Sequence, residues 1–274
     1  VPLVQREGAW YVAGWSPDDS QLLVSRYISI NESQPYLVDV ATGAMQRLYD
    51  PERPVSYGGL AFARDGRGIY YTSDATGEFR ELRYRDFASG ASRSLSAHIP
   101  WDVQGFTQSS DGRHLAFATN EDGISKVHVV DTRDGSEVRL PELPVGLIGL
   151  GGFSPDDRQL ALTINSATSP SDVYSIDLAG ATLTRWTESE VGGLDTSRFI
   201  APSLVHYPTF DEVDGRPRMI PAFYYRPAGP GPFPVVINIH GGPEAQARPG
   251  FSPGFQFLAN ELGIAVLVPN VRGS

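Results

Sequence analysis

Four aspartates recur at nearly equal intervals through the first two thirds of the chain, and this spacing narrows the fold further than any other feature. Asp18, Asp65, Asp111 and Asp156 lie 47, 46 and 45 residues apart. Trp15-Ser16-Pro17-Asp18-Asp19 is echoed by Phe153-Ser154-Pro155-Asp156-Asp157, with Ala63-Arg64-Asp65-Gly66 and Ser109-Ser110-Asp111-Gly112 between them. A second series, Gly43, Gly90, Gly135 and Gly180, runs in phase at 47, 45 and 45 residues, each in a short polar turn. Two markers in register define an internal repeat.

Each repeat reads as four strands. In the first they are Trp10–Ser16, Gln21–Tyr27, Pro35–Val40 and Met45–Tyr49. In the third they are Val103–Thr107, His114–Thr119, Lys126–Asp131 and Glu137–Leu140. These runs are rich in Val, Leu, Ile, Tyr and Phe and are bounded by Asp-Gly or Asp-Asp turns. Each turn aspartate is expected to accept bonds from nearby backbone N–H groups and close its hairpin. A period near 45 with four strands per unit predicts β-propeller blades. Four blades fit across about residues 10–190. Four blades could close a ring, at the small end of the range, but an open four-blade arc leaves two raw sheet edges, so the expectation is a larger propeller whose earlier blades precede Val1.

After about Asp195 the period disappears. The predicted division is a partial propeller over residues 1–195 and a second domain over 196–274, with 191–202 as linker. Ser203–Phe210 and Arg218–Arg226 read as strands joined through Asp214-Gly215, a hairpin signal. Phe233-Pro234-Val235-Val236-Ile237-Asn238-Ile239 is a continuous apolar run, the pattern of a strand buried on both faces. A helix is predicted over Phe255–Leu262, ending at Gly263. A second buried strand is predicted at Ile264–Val268. Strand, loop, helix, strand is the opening of an α/β sheet.

The motif that carries chemistry is His240-Gly241-Gly242-Pro243, at the end of the first apolar strand. Two glycines let a backbone approach a ligand closely and aim N–H groups at it. In α/β-hydrolases such a loop supplies one oxyanion-hole donor, worth a few kcal/mol to a tetrahedral intermediate. His240 is read as a loop staple rather than a base. Gly250-Phe251-Ser252-Pro253-Gly254 matches the Gly-x-Ser-x-Gly nucleophile elbow but is rejected. The residue after the nucleophile must donate its N–H, Pro253 has none, and no buried strand precedes the motif. Arg272 sits where it either binds a substrate carboxylate or carbonyl or forms a structural ion pair.

The other histidines, His98, His114, His128 and His206, lack metal-ligand spacing and are read as structural; no metal site is expected. The repeated aspartates are assigned to turns rather than to calcium. Asn31-Glu32-Ser33 is a glycosylation sequon, meaningful only in a eukaryotic secretory setting. The chain holds 32 acidic against 22 basic residues, a net charge of −10, without a basic run, which disfavours nucleic acid as a partner. No apolar stretch reaches the roughly 20 residues that span a bilayer. With no cysteine, disulfides, thiolate metal sites and a cysteine nucleophile are excluded. That absence does not identify the compartment; a soluble protein is expected, with the cytoplasm favoured over the periplasm or secretion.

Propeller blades that run directly into a segment with His240-Gly241-Gly242-Pro243-Glu244 and Asn270-Val271-Arg272-Gly273-Ser274 resemble the prolyl oligopeptidase family of serine peptidases, in particular its acylaminoacyl-peptidase-like branch. Tyr207-Pro208-Thr209-Phe210 and Ile220-Pro221-Ala222-Phe223-Tyr224-Tyr225-Arg226-Pro227 are similar to the opening of that family's catalytic domain. The resemblance implies a peptidase with an α/β-hydrolase catalytic domain, of which residues 196–274 are the N-terminal part and stop before the nucleophile, and a propeller that caps the active site and admits short peptides, with no cofactor. Carried over by position, it implies Gly242 as the oxyanion-hole donor, Gly241 and Pro243 as shaping its loop, His240 as holding that loop, and Arg272 near the substrate. It implies a Ser, Asp and His triad beyond the residues seen here, so this segment alone is expected to be inactive. Its partners are then a short peptide substrate and the remainder of its own polypeptide or a companion fragment. A carboxylesterase-type hydrolase and a non-catalytic propeller scaffold are the rival readings.

Overall fold

The structure, a computed structural model, describes residues 3–242 and 244–274. Its elements assemble into five sheets, and the first four follow the repeat. Strands β1 (Ala9–Trp15), β2 (Gln21–Ser29), β3 (Glu32–Asp39) and β4 (Met45–Arg47) form the first, in sequential antiparallel order. The second holds β5 (Tyr57–Phe62), β6 (Gly68–Ser73), β7 (Glu81–Asp86) and β8 (Ser92–Ser94). The third holds β9 (Asp102–Gln108), β10 (His114–Glu121) and β11 (Ile124–Asp131), and the fourth β12 (Gly146–Phe153), β13 (Gln159–Ser166), β14 (Ser169–Asp177) and β15 (Thr182–Arg185).

The third repeat has three strands rather than the predicted four. Its last member shrinks to a single bridging pair, Val130 with Glu137. Pro141 and Pro144 follow at once, and proline cannot donate to a ladder.

The turn aspartates work as expected. Asp18 Oδ1 accepts from the Ser16 hydroxyl at 2.7 Å and the Ser20 N–H at 3.1 Å. Asp65, Asp111 and Asp156 each accept the N–H two residues on, at 3.0, 2.8 and 3.3 Å. The second series is a set of Asx turns, in which Asp39, Asp86 and Asp131 accept N–H bonds and Gly43, Gly90 and Gly135 adopt φ between +70° and +75°. In the fourth repeat the left-handed position falls on Ala181, at φ +47°, not on Gly180. Ala181 stands four residues after Asp177, as each earlier glycine stands four after its aspartate.

Two compact units are present. One runs through Asn120 and includes Val127–Leu140 and Gly152–Leu160; the other comprises Glu121–Lys126, Pro141–Gly151 and Ala161–Ser274. In the first unit the core lies between successive sheets. Every residue of β6 is buried. Ile69 and Tyr71 pack with Leu23 and Leu37 of the first sheet. Tyr70, on the alternate face, packs with Val103, Leu115 and Phe117 of the third. Burying a leucine as fully as Leu115 stabilises by about 1.5–3 kcal/mol.

The second unit carries β16 (Ser203–Val213) and β17 (Arg216–Tyr225), a long antiparallel hairpin closed at Asp214-Gly215. β17 continues antiparallel to β19 (Ala265–Pro269), and β19 pairs parallel with β18 (Val235–Ile237), giving the order β16-β17-β19-β18. Helix α1 (Pro253–Asn260) makes the crossover between the two parallel strands. It begins two residues before the predicted start because Ser252 caps it and Pro253 occupies its first turn. Gly263, at φ +63°, ends the helical turn. β19 is buried as predicted. β18 is not: Val235, Val236, Ile237 and Ile239 are 39–65% exposed. β18 is the edge strand, paired only with β19, and its apolar side chains are left uncovered among the described residues. No helix among the described residues is long and apolar enough to cross a membrane.

Candidate active site

β18 and β19 run parallel, so the segments that leave their C-terminal ends emerge side by side. Val235, Val236 and Ile237 pair with Ala265, Val266 and Leu267, and the Asn238 N–H donates to the Leu267 carbonyl at 2.9 Å. His240 follows the first strand and Ser274 the second. The His240 Nε2 and Ser274 Oγ lie 2.8 Å apart, tying the two segments together. Among the described residues no carboxylate bonds the His240 ring; its partners are the Ser274 hydroxyl and the Gly241 carbonyl.

Gly242 has φ +67°, where an L side chain is strained. Its carbonyl accepts the Ala245 N–H at 2.8 Å, forming a tight turn. A Cβ at Gly241 would meet nothing within 4 Å, and one at Gly242 only Ala245 at 3.9 Å. Close packing requires neither glycine, and backbone conformation requires one at Gly242. Pro243 lies outside the described residues.

Downstream, the loop is pinned by residues to which sequence reasoning gave no role, although Asn270 opens the second motif of the resemblance. Asn270, buried at the end of β19, accepts the Ala247 N–H at 2.7 Å and donates to the Ala247 carbonyl at 3.0 Å. Arg248 donates from Nε to the Gly123 carbonyl at 2.9 Å and from Nη2 to the Ser125 hydroxyl at 2.8 Å. Burial lowers its guanidinium pKa from the ordinary value. Asn165 Oδ1 accepts the Phe251 N–H at 2.7 Å. The buried Gln256 amide accepts the Ile200 N–H and donates to the carbonyls of Ile200 and Ala167, at 2.8–3.0 Å. The available signal was thin: polar residues placed within or beside apolar runs.

Arg272 is engaged with the β16–β17 hairpin. Its Nη2 donates to the Thr209 hydroxyl at 3.0 Å, its Nε lies 3.4 Å from the Asp211 carboxylate, and its guanidinium stacks 4.3 Å from the Phe210 ring centre. Asp211 also holds Arg218 at 3.0 Å. Ser252 accepts the Phe255 N–H at 3.3 Å as the helix cap. A cavity of about 520 Å³ lies between α1 and the 190–199 segment, lined by Leu194, Phe199, Phe251 and Phe257 among others; no residue of His240–Gly242 lines it.

The remaining histidines lie apart from the His240 loop. His206 pairs with Asp122 at 2.8 Å, His98 and His128 both approach Glu137, and His114 stacks on Phe153. Among the described residues no three His, Asp or Glu side chains are grouped to hold a metal ion.

Over 255 residues, 85% of this chain, the sequence is 28% identical to dipeptidyl aminopeptidase BIII of Pseudoxanthomonas mexicana. Over 125 residues it is 31% identical to the uncharacterized peptidase YuxL of Bacillus subtilis (strain 168), a match covering 44% of this chain and 18% of that protein. The fold matches prolyl oligopeptidase B from Galerina marginata with a TM-score of 0.79 at 15% identity, over 97% of this chain and 37% of that one. The chain resembles part of a prolyl oligopeptidase family peptidase. No family model matches it. It spans about a third of the length of the Pseudoxanthomonas peptidase, 35%. The four-stranded antiparallel sheets correspond to the propeller of this family.

Proposed function

We propose that this chain is part of a serine peptidase that hydrolyses short peptides through an acyl-enzyme. In this reading β16–β19 and α1 are the opening of an α/β-hydrolase sheet, and the repeats form a propeller that gates access to it. The serine, aspartate and histidine of the triad come from the remainder of the polypeptide or from a companion fragment. The serine attacks the peptide carbonyl and the histidine takes its proton as general base. The Gly242 N–H donates to the oxygen as it becomes an oxyanion, which favours the tetrahedral intermediate over the planar ground state. Gly241 keeps the approach open and His240 holds the loop through Ser274. Arg272 fixes the end of β19 to the β16–β17 hairpin, and substrate contact through its guanidinium requires release from Asp211.

The observation that supports this most is the open two-glycine turn at the C-terminal end of a parallel strand, joined to the end of its neighbour. A fluorophosphonate probe tests it. The full-length polypeptide should take one adduct, and the 274-residue chain alone should take none. A full-length polypeptide that is never labelled overturns the serine mechanism. Labelling of the 274-residue chain at Ser252 overturns the placement of the nucleophile outside it. Faster turnover of small esters than of peptides favours the esterase reading.

A further inference from the structure

Each repeat turn has a residue in the left-handed conformation just after its aspartate: Asp19 at φ +58°, Gly66 and Gly112 at φ +70°, Asp157 at φ +56°. Three of the four face the same place, the residue before the turn aspartate of the preceding repeat. A Cβ on Gly66 would meet Pro17 at 3.8 Å, and one on Gly112 would meet Arg64 at 3.0 Å. Asp157 makes this junction with its carboxylate. Oδ1 accepts the Ser110 N–H at 2.7 Å, and Oδ2 accepts the Ser110 hydroxyl at 2.6 Å and the Asp111 N–H at 2.9 Å. These charge-assisted bonds hold Asp157 ionised against the desolvation that opposes it.

Asp19 has the same side chain in the same left-handed position, yet it is exposed, and among the described residues no hydrogen bond or ion pair is recorded for its carboxylate. The first sheet also has a partly open apolar face. Val12 is 66% exposed there, beside a cavity of about 390 Å³ lined by Leu22, Val24, Val38 and Met45 among others.

We propose that Asp19 is a latch that docks a further four-stranded repeat of the same polypeptide against the first sheet, and that this repeat carries serine or threonine immediately before its turn aspartate. The direction follows from the three junctions, where the left-handed residue faces backward each time. The donor chemistry follows from Asp157. A non-proline residue there presents an N–H, a hydroxyl presents a second donor, and the next N–H completes the set. The fourth repeat does not fit, because its equivalent residue is Pro155, with neither N–H nor hydroxyl. A second copy of the chain does not fit either. Its first two turns offer Pro17 and Arg64, and the only hydroxyl residue at this position, Ser110, is already held by Asp157. The aligned relatives, about two and a half times as long as this chain, leave room for such a repeat.

The test compares Asp19→Gly with Asp157→Gly, since two repeats already use glycine at this position and the turn conformation is kept. Both variants are made in the full-length polypeptide and in the 274-residue chain, and thermal midpoints are measured. Asp157→Gly should lower the midpoint in both. Asp19→Gly should lower it to a similar extent in the full-length polypeptide and leave the 274-residue chain unchanged. Carbodiimide labelling read by mass spectrometry gives a second measure without mutation. Asp19 should be modified in the 274-residue chain and protected in the full-length polypeptide. A midpoint unmoved by Asp19→Gly in both overturns the proposal, as does an equal fall in both, which would confine Asp19 to its own turn. Equal modification of Asp19 in both overturns it too, and so does a gene whose product holds no further repeat. The result is independent of the peptidase reading, because a polypeptide that fails to label with fluorophosphonate still reports on the latch.

Discussion

The side-chain amide of Asn270 pairs with both backbone groups of Ala247, accepting its N–H at 2.7 Å and donating to its carbonyl at 3.0 Å. One buried amide thus stands in for a neighbouring strand and fixes the loop after His240-Gly241-Gly242 to the end of β19. Asn270→Ala leaves a buried donor and a buried acceptor unpaired, at about 1–3 kcal/mol each. Asn270→Asp keeps the acceptor but turns a second oxygen toward a carbonyl. Both variants should unfold at lower urea than the parent chain, at an unchanged slope. A midpoint unchanged in Asn270→Ala would mean that the loop is held by its other contacts.

Acid should weaken the repeats through their turn aspartates. Hydrogen bonds from Ser16 and Ser20 lower the Asp18 carboxyl to about 2 in the folded chain, from an ordinary value of 3.8. Folded Asp18 therefore binds its proton less readily than unfolded Asp18. Its stabilisation is complete above the unfolded value and is lost as pH falls through the folded one. Unfolding free energy should rise with pH between about 2 and 4, and the rise should be shallower in Asp18→Asn. Asp39, Asp86, Asp134, Asp156 and Asp195, all lowered by hydrogen bonds, add to the slope in the same direction. A slope unaffected by Asp18→Asn would remove this residue from the account.

Two substitutions separate conformational strain from steric exclusion. Ala181 holds φ +47° at a position where three other repeats have glycine. Ala181→Gly removes a left-handed cost of about 1–2 kcal/mol but adds unfolded-state freedom. A net gain of up to about 1 kcal/mol is expected, read as a higher melting temperature. At Gly68, by contrast, a Cβ would collide with the Arg85 carbonyl oxygen and stand 2.8 Å from the Tyr84 ring. Gly68→Ala should disrupt the second sheet, seen as loss of soluble protein or of near-ultraviolet circular dichroism. A soluble, fully folded Gly68→Ala protein would show that β6 and β7 can separate at no great cost.

Ser252 is a helix cap in a sequence that imitates a nucleophile elbow. Ser252→Ala should cost about 1 kcal/mol of stability and leave fluorophosphonate labelling of the full-length polypeptide intact. Lost labelling in a variant that remains folded would make Ser252 the nucleophile.

Much of the repeat region was legible because its determinants are local. An aspartate reaches an N–H two residues on, and alternating apolar residues choose a face within one strand, so spacing alone located the blades, their turns and the hairpin at Asp214-Gly215. The missing fourth strand of the third repeat and the shift from Gly180 to Ala181 show the limit. Pro141 and Pro144 cut the first short, and the second follows the count of four from Asp177, which the in-phase glycines alone do not show. The edge position of β18 was likewise invisible, since an apolar run looks the same whether or not a layer covers it.

The sequence by itself determined the repeat, the turn chemistry and the placement of two glycines after an apolar strand, because each rests on residues a few positions apart. Only the tertiary structure decided that Asn270 meets Ala247, that Arg248 reaches Gly123, that Arg272 turns to Asp211 and that Asp157 closes on Ser110. These partners are 23, 125, 61 and 47 residues apart. No local rule selects one partner over such distances. The choice is made when apolar faces pack and the polar groups carried inward must find donors and acceptors where they come to rest.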